Sequence, residues 1–360
     1  MHTHHTSNNL STDVAVVGAG PIGLELAVAL KRAGIDYLQF DAKQIGYTIS
    51  WFPPATRFFS SNERIAIAGV PLLTPDQGKS TREQYLAYLR SIVMQFDLQV
   101  NTYEPVVGIE KEENGFRLTT RPAAGTRTVH ARRLVLCTGG TDHPRRLDIP
   151  GEDLPHVSHY FNDPHAFFRK RLLVVGGKNS AVEAALRCHY AGAHVSLSYR
   201  RGELNPRSIK YWLLPEINDL LSTKKIAGYF HTLPARITPS HVELASSSAF
   251  GAPAGEAAVL DLPFDFVLLL TGYEQDNALF KLAGVDVSGP CGAPNFKGST
   301  METDVPGIYV AGTAVGGTQE KYGVFIENCH IHVERIIAAL TGAAPPTKDL
   351  PTAVLAQPES

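Results

Sequence analysis

The sequence predicts an α/β protein of two nested domains, each built on a unit of strand, glycine turn, helix and second strand. Three observations carry that prediction. One unit opens the chain at Val14–Asp41, and a second, the one internal repeat, follows at Arg171–Arg201. A further strand and glycine turn at Thr300–Gly312, with an apolar segment behind it, is too short to stand alone and is expected to rejoin the first domain. The 360 residues leave room for two cores.

In the first unit a β-branched run ends in GAGPIG, an apolar segment of helical period follows, and a second strand closes on an acid. That is the order of a dinucleotide-binding βαβ unit. Gly18 permits the tight turn, Gly20 lets the backbone approach a pyrophosphate, and Gly23 lets helix and strand pack closely. The pyrophosphate then faces a helix N-terminus, where free N–H groups favour negative charge. Asp41 stands 23 residues after Gly18, where a carboxylate accepts hydrogen bonds from an unphosphorylated ribose.

Bulk properties exclude several classes. A net charge of −2 gives no electrostatic footprint for nucleic acid or an anionic membrane. No apolar run reaches the roughly 18 residues a membrane span needs; Phe264–Leu270 is strand-sized. The opening MHTHHTSNNLST has no apolar stretch of signal-peptide type, and His2, His4 and His5 read as a polar tail rather than a metal site. The four cysteines, Cys137, Cys188, Cys291 and Cys329, show neither CxxC nor zinc spacing, which suits unpaired thiols in a reducing cytoplasm. The expected protein is a cytoplasmic enzyme acting on a small molecule, with no nucleic-acid or membrane partner, as a homodimer or higher homo-oligomer.

After Asp41 a loop-rich stretch carries aromatics among prolines and glycines. Thr81–Phe96 has helical spacing at Tyr85, Leu86, Leu89, Ile92, Val93 and Phe96, with Thr81 as N-cap. Strands are expected at Gln99–Tyr103, Val106–Lys111, Phe116–Arg121, Thr126–His130 and Arg133–Gly140. Leu147–Pro155, broken by proline and glycine, reads as an interdomain hinge. Ala245–Ala258 reads as a hairpin tip, and Gln319–Leu340 as a helix. The expected boundaries are residues 12–150 and 276–342 for the first domain, interrupted by a second at 151–275. A disordered tail over 1–11 and a loose one over 343–360 flank them.

The ends of the two second strands differ in charge. The first unit closes on Asp41 and the second on Arg200 and Arg201. A carboxylate repels a ribose 2′-phosphate, whereas guanidinium groups hold one through charge-assisted hydrogen bonds. The first site therefore suits FAD and the second NADPH. The predicted fold is two Rossmann-like βαβ nucleotide-binding domains of the three-layer ββα type, the FAD domain discontinuous with the NADPH domain inserted. Positions assigned to FAD are Gly18, Gly20, Pro21, Gly23, Asp41, Lys43, Trp51, Val106, Gly139 and Gly312. Those assigned to NADPH are Gly176, Lys178, Asn179, Ser180, Ala181, Arg200 and Arg201, with Lys210 as an outlying member; Lys178 occupies the second glycine position of the repeat.

Two such units, LCTGG between them and a returning TDVPGIYVAG resemble the two-domain flavoprotein reductases of thioredoxin-reductase shape. FFSSNERIAIAGVPL, HYFNDPHAFF, VVGGKNSAVEAAL, SIKYWLLPEI, LTGYEQD and FIEN, in that order, are similar to segments of the bacillithiol-disulfide reductase family, within the FAD-dependent pyridine-nucleotide-disulfide oxidoreductases. The resemblance spans Asp13–Leu340. It implies hydride transfer from NADPH to FAD, then electron delivery to a low-molecular-weight disulfide such as bacillithiol disulfide, in thiol redox homeostasis.

Three departures stand out. Val157–Phe168 lacks the CxxC of thioredoxin reductases, and Ile22 stands where the bacillithiol-disulfide reductase family typically carries a cysteine. Thr313 stands where many relatives place an aspartate on the flavin, so contact there is expected from backbone around Gly312 and from the entry of the last helix. By resemblance Glu327 and Asn328 point at the flavin; a capping role is the alternative. The catalytic candidates are Cys329, next to that segment, with His165 and Glu327. A lone cysteine is more often a small buried hydrophobe, and His159, His165, His330 and His332 are candidate proton donors or ordinary histidines. Alternative functions are an FAD/NADPH monooxygenase, for which a clear FxGxxxH is lacking, a ferredoxin/flavodoxin–NADP reductase, and a non-enzymatic redox-sensing binder.

Overall fold

The computed structural model describes residues 9–246, 259–319 and 323–344. His2, His4 and His5, most of the expected hairpin tip and nearly all of the expected C-terminal tail lie outside the described residues. The chain forms two compact units. The first runs to Ser50, resumes over Ala55–His143 and returns from Glu274; the second comprises Trp51–Pro54 and Pro144–Tyr273.

The first unit begins with β1 (Asn9–Val17), α1 (Pro21–Arg32) and β2 (Tyr37–Phe40), the two strands parallel with Val14 opposite Tyr37 and Val17 opposite Phe40. Val14, Ala15 and Val16 are buried, as a strand covered on both faces requires. α1 buries Leu24, Leu26 and Leu30. Helix α2 (Arg82–Gln95) carries the expected cap: the Gln84 N–H donates to the Thr81 hydroxyl, and the Gln84 side chain accepts from the Thr81 N–H. β3 is only Val100–Asn101.

Strands β4 (Val106–Glu112), β5 (Gly115–Thr120) and β6 (Arg127–Leu136) follow. Two expected strands, Thr126–His130 and Arg133–Gly140, are one. The front of β6 pairs antiparallel with β5 on one side, while its whole length runs parallel to β1 on the other. That free edge also orders Asn9, Leu10 and Ser11, expected in a disordered tail, opposite Thr128, Val129 and His130.

In the second unit β7 (Val157–Ser158), β8 (Arg171–Val175), α3 (Asn179–Tyr190), β9 (His194–Tyr199), α4 (Leu214–Ser222) and β10 (Ala227–Phe230) lead to an antiparallel trio. That trio is β11 (Thr232–Ile237), β12 (His241–Ser246) and β13 (Val259–Pro263), followed by β14 (Phe266–Leu269). The parallel sheet has the order β10-β9-β8-β14-β7. The expected hinge, Leu147–Pro155, lies inside this unit. The buried Glu152 carboxylate accepts the Leu147 and Asp148 N–H groups at 2.9 and 2.7 Å, and Leu147, Ile149 and Leu154 pack on a core containing Val242, Leu244 and Phe264.

The returning chain supplies β15 (Phe296–Lys297), β16 (Glu302–Thr303), β17 (Ile308–Val310) and α5 (His330–Thr341). The first sheet has the order β15-β16-β17-β6-β1-β2-β3, with Val310 parallel to Leu136. The helix expected from Gln319 starts only at His330. Before it, Asn328 accepts the Phe325 N–H and donates to the Gly323 carbonyl, closing a 3-10 turn over Ile326–Asn328. Among the described residues no helix is long and apolar enough to cross a membrane.

Candidate functional site

In the first unit β1, β2, β6 and β17 run parallel, so Gly18, Asp41, the Cys137–Gly139 turn and Gly312 fall at one carboxyl edge. Gly18 has φ +110°, and a Cβ there would lie 2.3 Å from the Cys137 carbonyl oxygen. A Cβ on Gly23 would lie 2.3 Å from the Gly18 oxygen. Around Gly20 nothing lies within 4 Å of a Cβ position, and the same holds at Gly139. Gly20 caps α1 without a side chain and Pro21 fills the first turn, so the N–H groups of that turn have no capping side chain and are the kind of helix terminus that holds a phosphate.

Asp41 is held tightly. One carboxylate oxygen accepts the Ala19 N–H at 2.7 Å, the other the Lys43 N–H at 2.7 Å. Burial raises its pKa, and these two hydrogen bonds oppose the rise. Lys43 is exposed, with its ammonium 5.8 Å from the Tyr47 ring. Val106 buries its side chain in the core, which leaves only its backbone for a ligand. Trp51, expected with the first domain, belongs to the second unit, its ring 5.6 Å from Tyr160 and 5.8 Å from Tyr273.

In the second unit Gly176 has φ +143°, and a Cβ there would meet the Leu270 oxygen at 2.5 Å and the Ala181 Cβ at 2.9 Å. Ala181 is thus the small residue this turn needs. At the neighbouring Gly177 a Cβ would lie 2.4 Å from the Tyr199 ring. Tyr199, at the end of β9, packs its ring against this turn from the core, a contact that carries no spacing signal in sequence. Lys178 and Ser180 are exposed at the start of α3, and Arg200 and Arg201 are exposed after β9. Lys210 departs from expectation: it is buried, its ammonium lies 2.9 Å from Glu183, and its N–H donates to Asn179 Oδ1 at 2.6 Å. The Glu183 carboxylate competes with any phosphate for this ammonium.

Cys329 is fully buried in the core with Ile22 and Cys137, and burial pushes its thiol pKa well up, with Glu25 adding to the effect. Such a thiol is inert. Burial also pushes Cys137 and Cys188 up to about 12. Cys329→Ala is therefore expected to leave turnover within about twofold of the parent, as a merely space-filling thiol requires; a steady-state assay checks this. Glu327 is largely covered and sits 3.9 Å from Arg64. His165 is exposed on a short 3-10 turn, and its own N–H is capped by the Asp163 carboxylate. His159 lies 3.4 Å from Glu152, and burial lowers its pKa.

His332 is buried and accepts the Gly312 N–H on Nδ1 at 3.2 Å. Burial, with Arg335 nearby, holds its pKa at about 4, so it is neutral. Of the backbone groups around Gly312, His332 holds the Gly312 N–H. His330 is the opposite case. Its Nδ1 is 2.7 Å from Glu25 and its Nε2 2.9 Å from the Arg64 carbonyl, two acceptors that demand a proton on each nitrogen. Burial alone would lower its pKa, but the hydrogen bond and charge of Glu25 outweigh it and the net shift is upward from 6.5. The stability this pair supplies is full below the ordinary imidazole value and is lost as pH rises through the raised one. Thermal melts across that window are expected to fall for the parent and to be flatter for His330→Gln.

A family model described as pyridine nucleotide-disulphide oxidoreductase matches residues 15–312. The bacilliredoxin reductase Bdr of Bacillus subtilis (strain 168) is 36% identical over 326 residues, 90% of this chain and 96% of that one. The solved bacillithiol disulfide reductase Bdr from Bacillus cereus superposes with a TM-score of 0.85 at 32% identity, covering 92% of this chain and 99% of that one. A ferredoxin–NADP reductase of Ignicoccus hospitalis is 28% identical over 306 residues, 83% of this chain and 89% of its own.

Proposed function

Because the chain belongs to the pyridine nucleotide-disulphide oxidoreductase family, whose chemistry uses a flavin and a pyridine nucleotide, we propose that it is an FAD-dependent, NADPH-oxidising reductase of a low-molecular-weight disulfide. Bacillithiol disulfide is the leading substrate, in keeping with the Bdr relatives. The observation that carries the cofactor assignment is the opposite charge at the two βαβ units: Asp41 at the first, exposed Arg200 and Arg201 at the second.

The first cradle fits a dinucleotide. Gly20 and Gly139 leave open space, and the N–H groups at the head of α1 face it. Asp41 keeps lone pairs for a ribose diol beyond those committed to Ala19 and Lys43. A bound flavin supplies the hydride acceptor and the two-electron donor. In the second unit Lys178, Arg200 and Arg201 are the groups offered to phosphate, while Asn179 and Glu183 are spent on holding Lys210. At the first glycine turn Ile22 offers no thiol, and Cys137 and Cys329 are buried, so this reading uses no enzyme dithiol there.

Anaerobic addition of NADPH is expected to bleach the bound flavin, and bacillithiol disulfide to restore its colour. Reduction by NADPH without recovery on adding the disulfide would reject that substrate. The absence of a placed thiol, together with the ferredoxin–NADP reductase relative, favours ferredoxin as the second acceptor to be tried. Faster recolouring by ferredoxin than by any disulfide would establish that alternative.

A further inference from the structure

Gln39 lies in β2, two residues before Asp41, and is fully buried. Burying an amide without partners is unfavourable, so its presence in the buried half of this strand calls for a reason. Its Nε2 donates to the Gly18 carbonyl at 2.9 Å and lies 3.3 Å from where a Cβ on Gly23 would stand. The amide thus fills the crevice between the glycine turn and the head of α1. Its Oε1 makes no hydrogen bond among the described residues, so the donor end facing Gly18 is the part that offsets the burial. Three successive residues of this segment hold three successive groups of the turn. Gln39 donates to the Gly18 oxygen, the Phe40 carbonyl accepts the Gly18 N–H at 2.8 Å, and the Asp41 carboxylate accepts the Ala19 N–H at 2.7 Å.

We propose that Gln39 is a positioning residue for the nucleotide turn: by fixing the Gly18 carbonyl it sets where the following N–H groups point toward a bound diphosphate. The inference rests on the reading of the first unit as the FAD site. Gln39→Glu tests it, because the near-isosteric carboxyl can donate to the Gly18 oxygen only while protonated and repels it when ionised. The parent serves as reference for Asp41, whose titration is common to both proteins.

Relative to the parent, FAD affinity of Gln39→Glu is expected to weaken by about tenfold or more between about pH 5.5 and about pH 8.5, as its buried carboxyl ionises. NADPH affinity at the second unit should not change. Gln39→Met, which fills the space without a donor, should weaken FAD binding equally at all pH values. FAD affinity of Gln39→Glu that tracks the parent across this range overturns the proposal. So does a loss of FAD and NADPH affinity in equal proportion, with lowered melting of the ligand-free protein, which marks a merely structural role. A parent that takes up no FAD at any pH contradicts the FAD reading itself and removes the inference with it.

Discussion

Replacing Arg200 and Arg201 together with alanine is expected to raise the KM for NADPH by about thirtyfold to hundredfold while moving that for NADH by less than about threefold. Hydrogen bonds to charged groups are worth about 1.5–3 kcal/mol each, and exposed ones fall at or below the low end. Two such contacts give about 2–3 kcal/mol, with about 1.4 kcal/mol for each factor of ten. Both arginines follow β9 at the carboxyl edge of their sheet, where nucleotides bind in open α/β folds. Only the 2′-phosphate distinguishes the two dinucleotides, so a selective loss reports that contact. An equal loss with both cofactors, measured by steady-state kinetics, would remove the assignment. Lys210→Ala should show no such selectivity, because Glu183 already holds its ammonium.

Gly18→Ala should be the most damaging single change in the first unit. The new methyl group would lie 2.3 Å from a backbone oxygen, that of Cys137, at φ +110°, so neither a side-chain rotation nor a favourable backbone region relieves it. A loss of about 3–5 kcal/mol is expected, lowering the melting temperature by about 10 °C, together with loss of the flavin. Gly20→Ala separates the two effects. Nothing lies within 4 Å of its Cβ position, so the ligand-free protein should melt within about 1–2 °C of the parent while FAD binding weakens. Equal melting of Gly18→Ala and the parent would show that the turn is not built as described.

The βαβ units were legible because their signals are local. A run of β-branched residues, glycines at fixed offsets and one helical period decide Val14–Asp41 and Arg171–Arg201 without help from the rest of the chain. The cap at Thr81 was legible for the same reason, with Gln84 three residues on. What sequence reasoning missed depends on partners far away. Asn9–Ser11 look like a polar tail until β6 gives them an edge to pair with. The prolines and glycine of Leu147–Pro155 suggest a hinge, yet one buried carboxylate, Glu152, pins the segment. Lys210 reads as a free cation because Glu183, 27 residues earlier, is not visible as its partner. The hold of His332 on the Gly312 N–H, across 20 residues, is likewise not visible in sequence.

Cys329, a catalytic candidate by its place beside FIEN, takes the blander part that a lone cysteine more often plays, a small buried group in the hydrophobic core. Oppositely charged groups at the two nucleotide units are the claim on which the functional reading rests. Its most direct test is rapid-mixing reduction of the purified protein at equal, subsaturating NADPH and NADH. The account predicts one FAD per chain, bleached at least about tenfold faster by NADPH, as a single well-formed phosphate contact requires. A protein that takes up no FAD, or one reduced equally fast by both nucleotides, would contradict it.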